Sequence, residues 1–211
     1  MNRKKLEEFH KNNILRAADR LFRELGYEAT TMDRIAKLAN YSKTTVYAYF
    51  PGKETVFFSL VLKHVVEIDD GFARVLDEGG SFKRMFHDMC HLLVKMDEEI
   101  PVYFEGMIGH INMQLDDEDT PRVFHEIFRM SERINDKLYL LVNQGIAEGA
   151  IDAHIDKEKT VLYLWGSITG IIRMGNLKAD YLLLKNIIKE DLIDFSFEAV
   201  LAGISKAGII F

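Results

Sequence analysis

The sequence contains very little cysteine or proline. Its 211 residues include one cysteine, Cys90, and three prolines. A single cysteine excludes a disulfide within the chain, so the composition is typical of a protein from a reducing compartment. With 48% hydrophobic and 28% charged residues, the rest is ordinary globular composition. The chain is long enough to bury a sizeable core in one large domain or two small ones.

Long hydrophobic runs are missing as well. The segment Met1–Lys11 is charged and lacks the apolar region that a secretory signal carries. The best candidate for a membrane span, Thr160–Met174, is shorter than the roughly 20 residues that a bilayer requires. We therefore expect a soluble, cytoplasmic protein without membrane contact.

The common motifs of catalysis and cofactor binding are also absent. The sequence has no G-x-S-x-G elbow, no phosphate-binding glycine loop, no H-E-x-x-H pair and no dinucleotide fingerprint. The acidic run Asp116–Asp119 lacks the alternation and the glycine of a calcium loop, so we interpret it as a solvated loop. We predict no cofactor and no enzymatic activity; an enzyme whose residues come together from distant positions is the alternative.

Charge is unevenly distributed along the chain. The net charge is −6, but residues 1–55 carry 11 Lys and Arg against 7 Asp and Glu. A cationic amino-terminal segment on an acidic remainder suits a protein that presents one end to phosphates.

Helical periodicity is present almost throughout. Apolar residues recur at three- and four-residue steps, which predicts an all-α fold of about nine helices and no strand. Three short helices come first: one from Ile14 that stops at Gly26, one after Thr31, and one from Ser42 to Phe50. Longer helices are predicted over residues 53–77, 82–96, 101–115, 121–146, 157–174 and 184–205.

The second and third helices have the features of a helix-turn-helix. Asn40 tolerates the positive φ that the turn needs, and Ser42 can cap the third helix. Val46 and Phe50, four residues apart, form its inner stripe. The residues left facing outward or sideways can donate to phosphates or touch base edges: Lys43, Thr44, Thr45, Tyr47 and Ala48.

This amino-terminal segment resembles the TetR family of transcriptional regulators. The resemblance covers about forty residues in order, in the stretches AADRLFRELGYEATTM (17–32), IAKLA (35–39) and SKTTVYAYFPGKE (42–54). Two positions depart from the family pattern, which usually has glycine at Asn40 and often at Thr44. Asn40 can replace glycine conformationally, and Thr44 suggests a helical residue that reads DNA.

The resemblance implies a homodimer that binds operator DNA through residues 1–53 and binds an effector and its partner subunit through residues 54–211. Thr31 would contact phosphate while capping the second helix; the alternative is that Thr31 and Ser42 serve only as caps. Tyr49 and Lys53 would hold the DNA backbone, or Tyr49 packs on the first helix. A flexible arm of Arg3, Lys4 and Lys5 would reach neighbouring phosphates. The predicted DNA-contacting residues are Thr31, Ser42, Lys43, Thr44, Thr45, Tyr47, Ala48, Tyr49 and Lys53.

Two carboxy-terminal helices are the candidates for dimerisation. Both carry dense apolar residues, and Gly166, Ser167 and Gly170 would let another helix approach closely. The alternative is that they are internal core helices. The predicted interface residues are Leu164, Trp165, Ile168, Ile172, Leu192, Phe195 and Leu201.

The middle helices mix soft apolar side chains with a few polar tips. Such a mixture suits a small apolar or aromatic ligand held by one or two hydrogen bonds, although core packing explains most of the residues equally well. Ligand binding there would alter the separation of the two DNA modules of a dimer. The predicted pocket residues are Phe72, Met89, Tyr103, Met107 and His110.

Two other hypotheses compete for the carboxy-terminal region. His87, Cys90 and His91 lie at i, i+3 and i+4 on one helix, and a metal sensor would add His64 or His110 as a fourth ligand. An architectural DNA-binding protein without a ligand is the second, but the carboxy-terminal region is longer than dimerisation needs.

Overall fold

The computed structural model describes residues 2–108 and 120–205. These residues form ten α-helices and no strand, apart from an isolated bridge between Ile151 and Ser205. The helices are α1 (Arg3–Ala29), α2 (Met32–Ala39), α3 (Lys43–Tyr49), α4 (Lys53–Glu78), α5 (Phe82–Glu99), α6 (Pro101–Ile108), α7 (Arg122–Ala147), α8 (Lys157–Leu177), α9 (Ala179–Leu184) and α10 (Lys189–Ile204). The predicted all-α fold is confirmed. None of the described helices is both long and apolar enough to cross a bilayer.

The last helix begins later than the sequence predicts, and an additional short helix precedes it. Asn186 has φ 54°, a left-handed conformation that interrupts helical hydrogen bonding, and Ile188 before α10 is extended. The predicted last helix over 184–205 therefore begins later, at Lys189, and a separate short helix, α9, precedes it.

The chain divides into two compact units. The first comprises Met1–Val66 and Ile100–Arg129, and the second comprises Glu67–Glu99 and Met130–Phe211. Both α4 and α7 contribute residues to each unit. The predicted functional boundary at residue 53 stays a prediction, because these units describe compactness only.

The longest helix of the first unit is α1, which begins at a side-chain cap and buries one face. Asn2 caps the start of this helix with its side chain, so Arg3–Lys5 form its first turn. The prediction that Arg3, Lys4 and Lys5 form a flexible arm was wrong, because Asn2 can cap a helix and these residues are helical. Gly26, with φ 78°, breaks the helical run where the sequence predicted a stop, and one further turn ends at Ala29. The residues that α1 buries are Ile14, Ala17, Ala18 and Phe22.

The second unit has its own apolar core. Side chains less than 2% exposed come from several of its helices, among them Phe86, Leu93, Leu141 and Phe197. The Glu148 carboxylate accepts a hydrogen bond from the Phe82 backbone N–H at 3.0 Å, which satisfies a free donor at the start of α5. These contacts give the second unit an apolar core of its own.

Candidate nucleic-acid interface

The turn between α2 and α3 has the geometry that the sequence predicted. Asn40 is left-handed, with φ 60° and ψ 41°, and ends α2. The Tyr41 backbone N–H then donates to the carbonyl of Ala36 at 3.0 Å, which satisfies one of the last free acceptors of the helix. At the other end of α2, the Thr31 hydroxyl accepts from the Arg34 backbone N–H at 3.3 Å. Thr31 is therefore the N-cap, as predicted.

The third helix exposes one face and buries the other. The Ser42 hydroxyl accepts from the backbone N–H of Thr45 at 3.0 Å and caps α3. Val46 and Phe50 are 1% and 5% exposed, so the predicted inner stripe is confirmed. Thr45 is half-buried, and the residues on the open face are Lys43, Thr44, Tyr47 and Ala48. Hydroxyl, ammonium and methyl groups are thus presented together, which suits contacts to phosphates and base edges.

Lys43 has an acidic partner on α2. Its ammonium Nζ lies 2.5 Å from Asp33 Oδ2, and both side chains are mostly exposed. This pair joins the first turns of α2 and α3 on the open face of the helix-turn-helix. Asp33 was not among the predicted site residues, although the sequence placed it in the first turn of a helix capped by Thr31.

Tyr49 packs on the first helix. Its ring is 5.9 Å from the imidazole of His10, measured between centroids. His10 Nδ1 is 2.6 Å from the Tyr41 hydroxyl, to which the Asn13 amide also donates at 3.3 Å. These contacts support the packing alternative for Tyr49. His10 was not among the predicted site residues; its position one helical turn before buried Ile14 was the available signal.

Lys53 is held at the end of α1. Its ammonium donates to the carbonyl oxygens of Tyr27 and Glu28 at 2.8 and 3.4 Å and lies 4.1 Å from the centre of the Tyr27 ring. It therefore adds a charged donor at the end of the helix, where the Tyr27 carbonyl also accepts from the Thr30 backbone N–H at 3.3 Å, and it makes a cation–π contact. A backbone-phosphate contact by Lys53 stays a prediction.

Tyr103, predicted to line a ligand pocket, belongs to a polar network in the first unit. Its buried hydroxyl donates to Asp19 Oδ1 at 2.6 Å, and Arg23 Nε donates to the same oxygen at 2.8 Å. Burial raises the pKa of Tyr103, and its bond to Asp19 raises it further. Burial opposes ionisation of Asp19, but hydrogen bonds from Tyr103 and Arg23 outweigh it and hold the pKa of that carboxyl below its ordinary value.

A small cavity lies in the core of the second unit. Its volume is about 10 Å³, the room that a single water molecule needs. Phe72 and Met89, two of the predicted pocket residues, line it. Tyr103 and Met107 belong to the first unit, and His110 lies outside the described residues. The complete lining is Phe72, Phe86, Met89, Cys90, Leu93, Leu138, Leu141, Leu164, Trp165 and Ile168.

The structure does not assemble the predicted metal site. Cys90 is buried against the cavity, and burial raises the pKa of its thiol, which opposes the thiolate that binds metals. His87 and His91 instead lie near carboxylates of α10. His87 Nε2 is 3.1 Å from Glu198 Oε1, and His91 Nε2 is 3.8 Å from Asp194 Oδ1. Across residues 2–108 and 120–205, no three His, Cys, Asp or Glu side chains are grouped to hold a metal ion.

The predicted dimer interface is corrected at three positions. Leu164, Ile168 and Ile172 are at most 5% exposed within one subunit, so they have no surface left for a partner. They form the inner face of α8. Its outer face carries Leu162, Gly166, Gly170 and Leu177. On α10, Phe195 is 72% exposed, and three predicted residues are half-buried: Trp165 of α8 and Leu192 and Leu201 of α10.

Comparison with known proteins places the amino-terminal segment in a family. Residues 14–60 match the family described as bacterial regulatory proteins, tetR family. The uncharacterized HTH-type transcriptional regulator YhgD of Bacillus subtilis is 46% identical over 63 residues, which is 28% of this chain and 33% of that protein. The matched stretch thus spans about a third of that relative's length.

Solved structures share the fold over almost the whole chain. A TetR/AcrR-family transcriptional regulator from Thermobifida fusca has a TM-score of 0.69 at 22% identity, covering 92% of this chain and 97% of that one. Thermus thermophilus FadR, a TetR-family transcriptional repressor solved with lauroyl-CoA, has a TM-score of 0.61 at 21% identity, covering 92% and 94%. The capped helix-turn-helix and the matching family segment agree with the resemblance of the sequence. The amino-terminal segment of this chain, residues 14–60, matches the TetR family of transcriptional regulators.

Proposed function

We propose that this protein is a transcriptional repressor that binds operator DNA as a homodimer in the cytoplasm and releases it when an effector binds. One observation carries the proposal: α3 is a short, capped helix whose open face presents Lys43, Thr44, Tyr47 and Ala48 from a cationic segment. A helix of this kind fits the major groove of B-form DNA, where side chains reach base edges.

The DNA contacts divide into two kinds. Lys43, Thr44 and Tyr47, with half-buried Thr45 beside them, would approach base edges, while Ala48 offers a methyl group for a thymine methyl. Thr31 and Ser42 use their hydroxyls as caps, so each would reach phosphate only while keeping its helix capped. Tyr49 and Lys53 would act by holding α3 and α4 against α1, because both already contact that helix.

Dimerisation through the outer faces of α8 and α10 supplies the second recognition helix. Leu162 and Phe195 are 67% and 72% exposed, which is unfavourable for a lone subunit in water. A Cβ placed on Gly166 or Gly170 would meet no atom within 4 Å of its own subunit, so a partner helix has room to approach there. Two-fold symmetry would set the two recognition helices on half-sites about 34 Å or more apart.

The effector is an apolar molecule in this proposal. The cavity is lined by hydrocarbon and aromatic groups, with only the Cys90 thiol and the Trp165 indole as polar handles. Effector binding must enlarge it, because its present volume is about 10 Å³. The effector would favour the enlarged state by differential affinity, and that state would no longer match two half-sites. The lauroyl-CoA bound to Thermus thermophilus FadR gives this proposal a precedent in a protein of the same fold.

The experiment compares two exposed tyrosines. Tyr47 on α3 and Tyr181 on α9 are 49% and 54% exposed, so replacing either with alanine should leave the fold intact. Fluorescence anisotropy would measure affinity for a duplex that the wild-type protein selects from a random pool. Tyr47→Ala should weaken binding about tenfold, and Tyr181→Ala should leave it unchanged. Equal affinities for all three proteins would contradict the proposed DNA face.

A further inference from the structure

The helix-turn-helix segment contains a single acidic residue. Between Ala29 and Lys53, Asp33 is the only Asp or Glu in the sequence. Its carboxylate oxygen Oδ2 lies 2.5 Å from Nζ of Lys43, and the two side chains are 59% and 64% exposed. Asp33 is the second residue of α2 and Lys43 the first residue of α3. The carboxylate is therefore placed on the open face, where the proposed function brings DNA phosphates.

Stability does not explain this pair. An exposed ion pair contributes little, because water and salt screen it and both side chains lose freedom. Both helices also have caps of their own, from Thr31 and Ser42. A carboxylate on a surface for a polyanion weakens attraction to every phosphate nearby. Its effect must therefore be sought in how Lys43 meets DNA.

We propose that Asp33 sets DNA selectivity by holding Lys43. On an unrelated sequence, Lys43 stays bound to Asp33 and neutralises no phosphate. On the recognised sequence, an acceptor that lies directly against α3, such as guanine O6 and N7 or a fixed phosphate oxygen, replaces the carboxylate. Asp33 is thus a specificity-determining residue that acts through Lys43. This inference rests on the proposed DNA-binding function of α3.

The substitution Asp33→Asn tests the idea, because it keeps the shape of the side chain and removes its charge. Freed Lys43 should neutralise about one more phosphate on an unrelated duplex, so the slope of log affinity against log salt steepens by about 0.9. Over a fourfold range of salt, that slope corresponds to about a threefold change in affinity. The affinity for the selected duplex should change less, so the ratio of specific to unrelated binding falls.

A double-mutant cycle separates release of Lys43 from simple repulsion. Anisotropy titrations would be run on a selected and an unrelated duplex with Asp33→Asn, Lys43→Gln and the double variant. In the Lys43→Gln background, Asp33→Asn should no longer steepen the slope on the unrelated duplex. If the steeper slope persists there, Asp33 acts by repelling phosphates and the proposal is overturned.

The matched control is Glu24→Gln on α1. Glu24 accepts from Arg20 at 2.8 Å in another exposed ion pair of the first unit, so this variant makes the same change in net charge. It should leave both slopes unchanged; an effect equal to that of Asp33→Asn would overturn the proposal. If the wild-type protein prefers the selected duplex and the Asp33→Asn variant shows the same salt slopes and the same preference, this inference is overturned and the proposed function stands. A wild-type protein without salt-sensitive DNA binding would overturn the proposed function as well.

Discussion

Two charged side chains fasten α1 to other helices of the first unit. Lys53, at the start of α4, donates to the carbonyls of Tyr27 and Glu28, and Asp19 accepts from Tyr103 of α6. Lys53 adds a charged donor at the end of α1, and Asp19 accepts from a buried hydroxyl. At the scale of single residues, the stability of the first unit therefore depends on polar contacts as well as on its apolar core.

Lys53→Ala should lower the free energy of unfolding by about 1 kcal/mol, because the carbonyls lose a charged donor and Tyr27 loses a cation–π contact. Urea denaturation monitored by circular dichroism measures this. The predicted phosphate contact adds a second expectation, a salt slope of operator binding shallower by about 0.9. An unchanged slope would show that Lys53 contacts only α1 and no phosphate.

Asp19→Asn should reduce the loss of stability in acid. The pKa of Asp19 is lowered in the folded protein, so its contribution is present above the ordinary pKa of 3.8 and is lost as pH falls through the folded pKa. Urea midpoints at neutral pH and below pH ~4 would measure it. The difference between the two should be smaller for the variant than for the wild-type protein. A variant with an undiminished acid dependence would show that other carboxyls cause it.

Close approach of helices is the main constraint at the scale of elements. An added Cβ on Gly106 of α6 would lie 2.7 Å from the Phe57 ring of α4, and one on Gly145 of α7 would lie 2.7 Å from the Ile151 side chain. Neither neighbour is a flexible surface group, so each glycine permits a contact that alanine would obstruct. These glycines have ordinary helical neighbours in sequence, which is why the pattern did not single them out.

Gly106→Ala should destabilise the protein by about 1 to 3 kcal/mol, since overpacking against Phe57 outweighs the better helix propensity of alanine. Thermal unfolding followed by circular dichroism gives the comparison. Gly52→Ala is the control, because a Cβ there meets nothing within 4 Å. Equal melting temperatures for the two variants would show that α6 moves away from Phe57 without a loss of stability.

At the scale of the whole molecule, the property to be tested is the proposed dimer. The outer faces of α8 and α10 expose Leu162 and Phe195, while the neighbouring inner faces are filled by the subunit's own core. An operator-binding regulator needs two recognition helices, so the oligomeric state and the DNA affinity are coupled. The two properties can therefore be tested with one substitution.

Phe195→Asp should weaken the dimer more than tenfold, because burying a carboxylate in an apolar interface is unfavourable. Light scattering after gel filtration, over a range of protein concentrations, measures the dissociation constant. Leu140→Asp on α7 of the same unit is the control, since Leu140 is also exposed, at 57%, but lies outside the proposed interface. The interface would have to be placed elsewhere if both variants elute as the wild-type dimer does.

Local features were predictable to within a few residues. Thr31, Asn40 and Ser42 act on backbone groups three or four positions away, so their types and spacing were sufficient to locate α2 and α3. The same holds for Val46 and Phe50, because a short amphipathic helix has one apolar stripe. Asn186 was overlooked as a left-handed residue, and α9 was missed with it.

Features that depend on distant residues were not predictable. α8 is apolar on several faces, so its pattern did not distinguish the core face of Leu164 from the outer face of Leu162. Cys90 lies three residues after His87 and next to His91 in sequence, yet it lines a cavity, while both histidines lie near carboxylates of α10. Tyr103 offered a polar tip for a ligand, and only the fold showed that Asp19 already accepts its hydrogen bond.

The sequence by itself determined the all-α class, the capped helix-turn-helix and the resemblance of its amino-terminal segment to a family, because these depend on residues within a few turns of one another. Only the tertiary structure decided which faces are buried, which polar groups are paired and which side chains line the cavity. The physical reason is that burial and hydrogen bonding depend on partners brought from far along the chain, as Asp19 and Tyr103 illustrate at a separation of 84 residues.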